Sequence, residues 1–179
     1  MILSLLEHPD GVDALPGRRV VYDLARDEAR FGAAAVDGPA LVWELGEQPV
    51  AGATLAAEID VAPDGGWLLR CDRVDFPPGG VAYRHTHPGP GIRYLLAGSL
   101  RVEAGGASHL YRPGGAWFES GPEPVLAVAS ETQETAFVRV MLVPRALAGK
   151  RTIRYVDPAD EARPKLQRAR IYLEQPIEL

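Results

Sequence analysis

Two histidines one residue apart, His85 and His87, are the residues whose types and spacing best fit a chemical role in this chain. They lie between a Pro/Gly turn at residues 77–80 and a second such turn at residues 88–91. If residues 81–87 are extended, side chains alternate between two faces, so both imidazoles point the same way. Two adjacent imidazoles can share one divalent cation. The alternative is a polar pocket in which both rings are neutral and satisfied by backbone groups or water.

The elements around this pair have the pattern of an all-β protein. Short apolar runs separated by Gly/Pro turns follow one another from residue 67 to residue 143, which is typical of a barrel or sandwich. The run at Thr135–Val143 is the most apolar, so we expect it at the centre of a sheet. The predicted strands are Trp67–Phe76, Val81–His87, Ile92–Glu103, Ala107–Arg112, Ala116–Glu119, Val125–Ser130 and Thr135–Val143.

The flanking segments 1–66 and 144–179 are predicted to be extensions of one domain that covers residues 1–179. The chain shows no internal repeat or linker, and 179 residues suffice to bury a sizeable core. We expect a strand or the start of a short helix at 20–25, strands at 40–45 and 53–61, a turn at 63–66, a short helix from Asp157 through Ala162, and a last strand at 168–174.

Composition narrows the class of protein further. The net charge of −5 argues against nucleic acid as a partner. No apolar stretch approaches the ~18 residues of a membrane span, and the first eleven residues lack the features of a signal peptide. The single cysteine, Cys71, excludes an internal disulfide and fits a reducing cytoplasm. We therefore predict a cytoplasmic protein that binds neither nucleic acid nor membranes.

The stretch from Gly79 to Gly98 resembles the first motif of the cupins, which are small double-stranded β-helix (jelly-roll) barrels. That motif runs Gly, five residues, His-x-His, three or four residues, Glu, six residues, Gly. Here both glycines and both histidines are in register, but Gly91 stands in the glutamate slot. The resemblance implies a cupin-type barrel core over about residues 67–143, with N- and C-terminal extensions. It also implies a homodimer.

The second cupin motif is matched only at its first glycine, Gly114, and Val125 stands in the slot of the third histidine. Members of the family typically hold iron, manganese, nickel or zinc with three histidines and one glutamate. The resemblance therefore implies a divalent transition metal on His85 and His87. Because neither Gly91 nor Val125 coordinates through its side chain, a further ligand must come from elsewhere.

Two residues are candidates for that third ligand. His109 lies on the strand that leads to Gly114, and Glu119 follows Trp117 at period two. Each also has a simpler interpretation, since His109 suits a half-exposed hairpin position and Glu119 suits a carboxylate at the rim of the barrel or a salt bridge at the end of a strand. The side chains that we expect to line a pocket beside the histidines are Tyr83, Arg93, Tyr94 and Trp117.

Three functions remain open from the sequence. The first is a metal-dependent enzyme (a dioxygenase, isomerase or decarboxylase-like activity) that acts on a small molecule through a metal on His85 and His87. The second is a non-catalytic cupin that binds or senses a metabolite without metal, with Arg93 or Arg84 pairing a carboxylate. The third is a barrel that serves only as an interaction scaffold. No Gly-x-Ser-x-Gly elbow, phosphate-binding glycine loop or paired-cysteine zinc motif occurs.

Overall fold

The computed structural model describes residues 1–62 and 65–179, so the turn predicted at 63–66 lies partly outside the described residues. Two short 3-10 helices, Arg145–Leu147 and Pro158–Ala162, accompany a large set of strands. The strands are β1 (Ile2–His8), β2 (Val12–Ala14), β3 (Arg19–Asp23), β4 (Glu28–Phe31), β5 (Ala34–Val36), β6 (Ala40–Gly46), β7 (Leu55–Glu58), β8 (Trp67–Phe76), β9 (Val81–Thr86), β10 (Gly91–Ala97), β11 (Leu100–Ala104), β12 (Ala107–Tyr111), β13 (Ala116–Glu119), β14 (Val125–Ala129), β15 (Thr135–Pro144), β16 (Arg154–Tyr155) and β17 (Arg168–Ile177).

Two five-stranded antiparallel sheets face each other and form a barrel. The middle sheet has the strand order β13-β10-β15-β8-β17, and the outer sheet has the order β12-β11-β14-β9-β16. Apolar side chains of both sheets meet in one buried cluster between them. From β8 to β15 the chain crosses between the sheets at every step except the β11–β12 hairpin. This winding is that of a jelly roll, and the predicted all-β barrel is confirmed.

The N-terminal segment forms a third sheet, with the order β4-β3-β6-β1-β7. It packs on the face of the middle sheet that points away from the barrel interior, where side chains such as Leu5 and Trp43 meet Leu69, Val138 and Val140. The two-stranded sheet of β2 and β5 covers its opposite face. The segment predicted as a simple extension thus makes the middle sheet a layer that is covered on both faces.

Burial on both faces explains the composition of the central strands. All of β15 except Pro144 is buried, and most of β8 is buried as well. A strand covered on both sides favours a continuous apolar run over alternation, which is the pattern of residues 135–143. By contrast, β14 alternates strictly between buried and half-buried positions, as expected for a strand with one partly exposed face.

The C-terminal segment returns to the barrel. β16 pairs with β9, and β17 pairs with β8 of its own chain. The predicted short helix is the 3-10 helix Pro158–Ala162, whose first turn is capped by the Asp157 carboxylate accepting from the Ala159 N–H. The homodimer stays a prediction. Among the described residues no helix is long and apolar enough to cross a membrane.

A polar cluster ties the N-terminal sheet to the middle sheet. Asp27 lies in the β3–β4 turn with a left-handed φ of 56°. Its carboxylate accepts hydrogen bonds from the hydroxyls of Tyr22 and Tyr172, and its Oδ1 lies 3.2 Å from Nη1 of Arg73. Burial alone would raise the pKa of Asp27, but the two hydroxyls and Arg73 outweigh it and lower the pKa to about 2. The ionised carboxylate therefore stabilises a contact between strands far apart in sequence.

Replacing Asp27 by Asn should lower the free energy of unfolding at pH 7 by about 1–2 kcal/mol, as expected for hydrogen bonds to a charged group. Asparagine tolerates the left-handed conformation, so the turn is kept. Because the native pKa is below the unfolded value, the contribution of the carboxylate is present above the unfolded pKa of about 3.8 and is lost as the pH falls through about 2. Urea unfolding from pH 7 down to about pH 3 checks this. A difference between variant and wild type that stays constant with pH contradicts the assignment.

Candidate functional site

The histidine pair faces the barrel interior from the end of β9. His85 and His87 are 4% and 7% exposed, and their Nε2 atoms lie 3.1 Å apart. Nδ1 of His85 donates a hydrogen bond of 2.7 Å to the carbonyl oxygen of Tyr83, because a carbonyl can only accept. The structure thus brings together the two rings that the spacing places on one face.

Both imidazoles are neutral at neutral pH. Burial lowers the pKa of His85 to about 4. Burial also lowers the pKa of His87 well below its ordinary value, and the positive charges of Arg139 and Arg93 lower it further. With Nδ1–H bound to a backbone carbonyl, neutral His85 carries its lone pair on Nε2, the atom that faces His87. Two ring nitrogens at this distance need a proton or a metal ion between them.

Glu119, on β13, is the carboxylate beside the histidines. Its Oε2 lies 3.7 Å from Nε2 of His87, and its Oε1 accepts a hydrogen bond of 2.8 Å from the indole N–H of Trp117. Nη2 of the wholly buried Arg93 lies 2.6 Å from Oε2 as an ion pair, at an angle outside hydrogen-bond geometry. Burial lowers the pKa of Arg93 to about 10, against the attraction of Glu119. The carboxylate is therefore held close to His87 by two neighbours.

The register of β10 and β13 explains why the carboxylate is not at position 91. Gly91 is the direct cross-strand partner of Glu119. A Cβ at Gly91 would lie 2.5 Å from both the Val140 carbonyl oxygen and Cβ of Met141, so no side chain fits there. On the facing strand, Glu119 carries a carboxylate directly opposite this glycine.

A second buried ion pair lies on the other side of His87. Arg139 and Asp72 are cross-strand partners on β15 and β8, and the guanidinium binds the carboxylate through two contacts of 2.6 and 3.1 Å. Nη1 of Arg139 lies 3.3 Å from Nε2 of His87, and its Nη2 lies 3.5 Å from the hydroxyl of Thr152. This fork–fork geometry fixes the guanidinium beside the imidazole pair.

These polar groups lie in the wall of a cavity of about 410 Å³ inside the barrel. The remaining wall is mostly apolar and partly aromatic. The ring centroids of Trp117 and Phe137 lie 5.4 Å apart in an edge-to-face arrangement, and those of Phe76 and Phe137 lie 6.1 Å apart. A mostly apolar cavity with a few convergent polar groups is the usual form of a small-molecule site. Its apolar lining includes Val74, Phe76, Leu100, Trp117, Ala127 and Phe137.

The C-terminal segment forms part of the cavity wall. The buried Arg70 donates to the carbonyl oxygens of Leu147 and Lys150, both at 2.8 Å, and its Nε donates to Glu174 at 2.6 Å. Tyr155, on β16, is the cross-strand partner of His85, and its ring lies 6.4 Å from that imidazole. Arg70 thus fastens to the barrel a segment that lies far from it in sequence.

The structure brings most of the predicted site residues together. His85, His87, Glu119 and Trp117 all line the cavity. Arg93 lies behind Glu119, and its Nη1 donates to the carbonyl oxygen of Gly91 at 2.6 Å. Glu119 is therefore a part of the polar cluster rather than a solvated rim carboxylate.

Besides Arg93, three of the predicted residues lie outside the cavity lining. Tyr94 follows Arg93 on β10 and so points to the opposite face, where its hydroxyl donates to Glu7 at 2.7 Å. Tyr83 points away because a bulge in β9 shifts the alternation between the inward-facing Ala82 and His85. His109 is exposed on β12, at the edge of the outer sheet.

Sequence reasoning missed Arg139 and Asp72. Both were visible as charged residues inside predicted strands, and Arg139 interrupts the most apolar run of the chain. A charge in a fully buried strand requires a partner. Their pairing depends on the register of β8 and β15, which the sequence does not reveal.

The donor set fits a divalent transition metal in the type of its side chains. Two neutral imidazoles and a carboxylate are the ligands of the two-histidine, one-carboxylate sites, and the backbone bond at Nδ1 of His85 is the usual way in which a metal-binding imidazole is oriented. Within residues 1–62 and 65–179, however, no three His, Cys, Asp or Glu side chains already converge as a metal site. The ion pair with Arg93 keeps Glu119 at 3.7 Å from His87.

Comparisons with known proteins find similarity to solved structures over part of the chain. No family model matches the chain, and no curated protein matches it. Among solved structures, the polyketide cyclase RemF from Streptomyces resistomycificus is 24% identical over 49% of this chain and 61% of the cyclase, with a TM-score of 0.41. KdgF from Halomonas sp. is 28% identical over 49% of this chain and 76% of its own, with a TM-score of 0.36. An RmlC-like cupin from Shewanella frigidimarina NCIMB 400 is 20% identical over 49% of this chain and 85% of its own, with a TM-score of 0.39.

These alignments span about half of the chain, and the one with the cyclase covers about three fifths of that protein. The assignment of the fold rests on the strand order of the two barrel sheets together with the glycine-framed histidine pair. The chain has the cupin fold, as its first motif predicts.

Replacing Asp72 by Asn should lower the free energy of unfolding by about 3–5 kcal/mol, because it leaves the Arg139 guanidinium buried without a countercharge. Asp75→Asn is the matched control on the same strand. Asp75 is half exposed and pairs with the partly exposed Arg73, so its loss should cost at most about 1 kcal/mol. Urea unfolding measures both values. Equal losses for the two variants contradict a special role of the buried pair.

Proposed function

We propose that this protein is a metal-dependent enzyme that acts on a small organic molecule bound in the barrel cavity. The observation that carries the proposal is the convergence of two buried, neutral imidazoles, His85 and His87, with Nε2 atoms 3.1 Å apart, in the wall of a 410 Å³ cavity. Groups with strongly perturbed pKa values in a largely apolar cavity are typical of active sites.

In this proposal His85 and His87 hold the metal, and Glu119 supplies the adjacent carboxylate oxygen. Imidazole nitrogen suits zinc, iron, copper and nickel alike, so the donor set favours a divalent transition metal without selecting one. A bound metal of this kind would act as a Lewis acid on an oxygen atom of the substrate.

The other residues of the cavity orient the substrate and exclude water. Arg139, fixed by Asp72, presents a guanidinium beside the histidine pair and suits an oxygen-rich group of the substrate. The aromatic rings of Trp117 and Phe137 suit the apolar part. The C-terminal segment fastened by Arg70 limits access of water to the polar end.

The second candidate is a metal-free cupin that binds or senses a small metabolite. The observation that favours it is the guanidinium of Arg139, which lies 3.3 Å from Nε2 of His87 and offers a hydrogen-bond donor where a metal would otherwise be the partner. In this case the histidines and Arg139 would hydrogen-bond a carboxylate or carbonyl group. The absence of a cavity beside His87 would favour the scaffold hypothesis, but His87 lines a cavity.

Elemental analysis of protein purified without a histidine tag distinguishes the two candidates. The enzyme proposal predicts about one transition metal per chain, and the loss of that metal in the double variant His85→Ala, His87→Ala, because both imidazole ligands are gone. His109→Ala is the matched control, since that histidine is exposed on β12 and should leave the metal content unchanged.

A second experiment accounts for metal that is lost during purification. The protein is dialysed against a chelator and then titrated with Zn²⁺, Mn²⁺, Fe²⁺ and Ni²⁺. If the wild-type protein and the double variant bind each of these ions with the same affinity, the enzyme proposal is wrong. Circular dichroism of the double variant shows whether the barrel itself is retained.

A further inference from the structure

The polar end of the cavity contains two ion pairs, and within each pair the positive and negative charges cancel. Asp72 neutralises Arg139, and Glu119 neutralises Arg93. All four residues are in the wall of the barrel or directly behind it, and the guanidiniums are 6% and 0% exposed. With neutral imidazoles the site therefore carries no net charge.

A divalent cation on the histidine pair would add two positive charges beside two buried guanidiniums. Arg139 lies 3.3 Å from the nitrogen that would bind the metal, and Arg93 lies 2.6 Å from the carboxylate beside it. Charges repel far more strongly in a buried site than in water, and a buried charge without a countercharge is unfavourable. The charge of the metal needs further compensation.

The described lining of the cavity holds no spare carboxylate to compensate it. Its acidic residues are Asp72 and Glu119, and both are already engaged. The lining also contains Arg70, Lys150, Arg151 and Lys165, of which Arg70 pairs with Glu174 and Arg151 pairs with Glu161, so these carboxylates are engaged as well. Compensation must come from a group that enters the cavity.

We propose that the metal and a small organic carboxylate bind cooperatively, with the carboxylate in the cavity beside Arg139. This inference rests on the proposed metal site at His85 and His87. The cavity volume and the aromatic wall of Trp117 and Phe137 suit an acid that carries a ring or another compact apolar group. Arg139 is the residue that couples the two ligands, because its guanidinium adjoins both the metal-binding nitrogen and the free space.

Titration with Co²⁺, followed by its visible absorption bands, tests the coupling on the full chain after removal of bound metal. Benzoate is the probe anion, benzamide is its uncharged counterpart, and perchlorate is the only other small anion present. Saturating benzoate should tighten Co²⁺ binding about tenfold, a typical coupling between two sites, whereas benzamide should leave it unchanged. Since coupling is reciprocal, Co²⁺ should tighten benzoate binding by the same factor, as read from isothermal titration calorimetry.

Two variants test the role of Arg139. The double change Asp72→Asn, Arg139→Gln removes one ion pair without altering the summed charge, so Co²⁺ should bind tighter in the absence of anion and benzoate should add less than about threefold. Arg139→Lys keeps the positive charge and should keep the coupling. The double change Arg19→Gln, Glu44→Gln removes an ion pair of the N-terminal sheet and should change nothing.

The results of these titrations distinguish failure of the coupling from failure of the proposed metal site. Binding of Co²⁺ that is the same with and without benzoate overturns the coupling and leaves the metal site standing. Equal enhancement by benzoate and benzamide also overturns it, because charge is then not the cause. Absence of Co²⁺ binding under every condition overturns both.

Discussion

The constraint on which the structure depends is that the middle sheet is buried on both faces. The N-terminal sheet covers one face and the barrel interior lies on the other, so β8 and β15 have almost no contact with water. Any charged side chain in these strands must find a partner inside the protein. Arg139 and Asp72 satisfy this rule as direct cross-strand neighbours, and Arg70 satisfies it with Glu174 on β17. The site is built from side chains that the fold cannot leave unpaired.

Close packing of the strands also determines which positions carry the polar groups of the site. Gly91 approaches β15 so closely that no side chain fits, and the carboxylate comes from its cross-strand partner Glu119. Arg93, two residues further along β10, reaches back to the carbonyl oxygen of Gly91 and pairs with that carboxylate. A carboxylate that the motif lacks along the chain is thus present on the neighbouring strand, because adjacent strands lie side by side in a sheet.

Errors in the predicted pocket have identifiable physical causes. Arg93 and Tyr94 are adjacent on an extended strand, so only one of them can face inward, and the sequence does not say which. Tyr83 has the parity of His85, but one extra residue in β9 reverses the face between them. The residues absent from the sequence-based site, Arg139 and Asp72, come from strands that are 67 positions apart at this pair.

The sequence by itself determined the local features of this protein: an all-β chain, the glycine-framed histidine pair on one face of a strand, and the apolar run that becomes the central strand. These depend on side-chain periodicity and on turn residues, which act over a few positions. Only the tertiary structure decided that the first segment forms a covering sheet, that Glu119 lies beside His87 and opposite Gly91, and that Arg139 lies beside His87. Each of these depends on strand register and sheet order, because contacts between distant strands are set by the packing of the whole core and not by neighbouring residues.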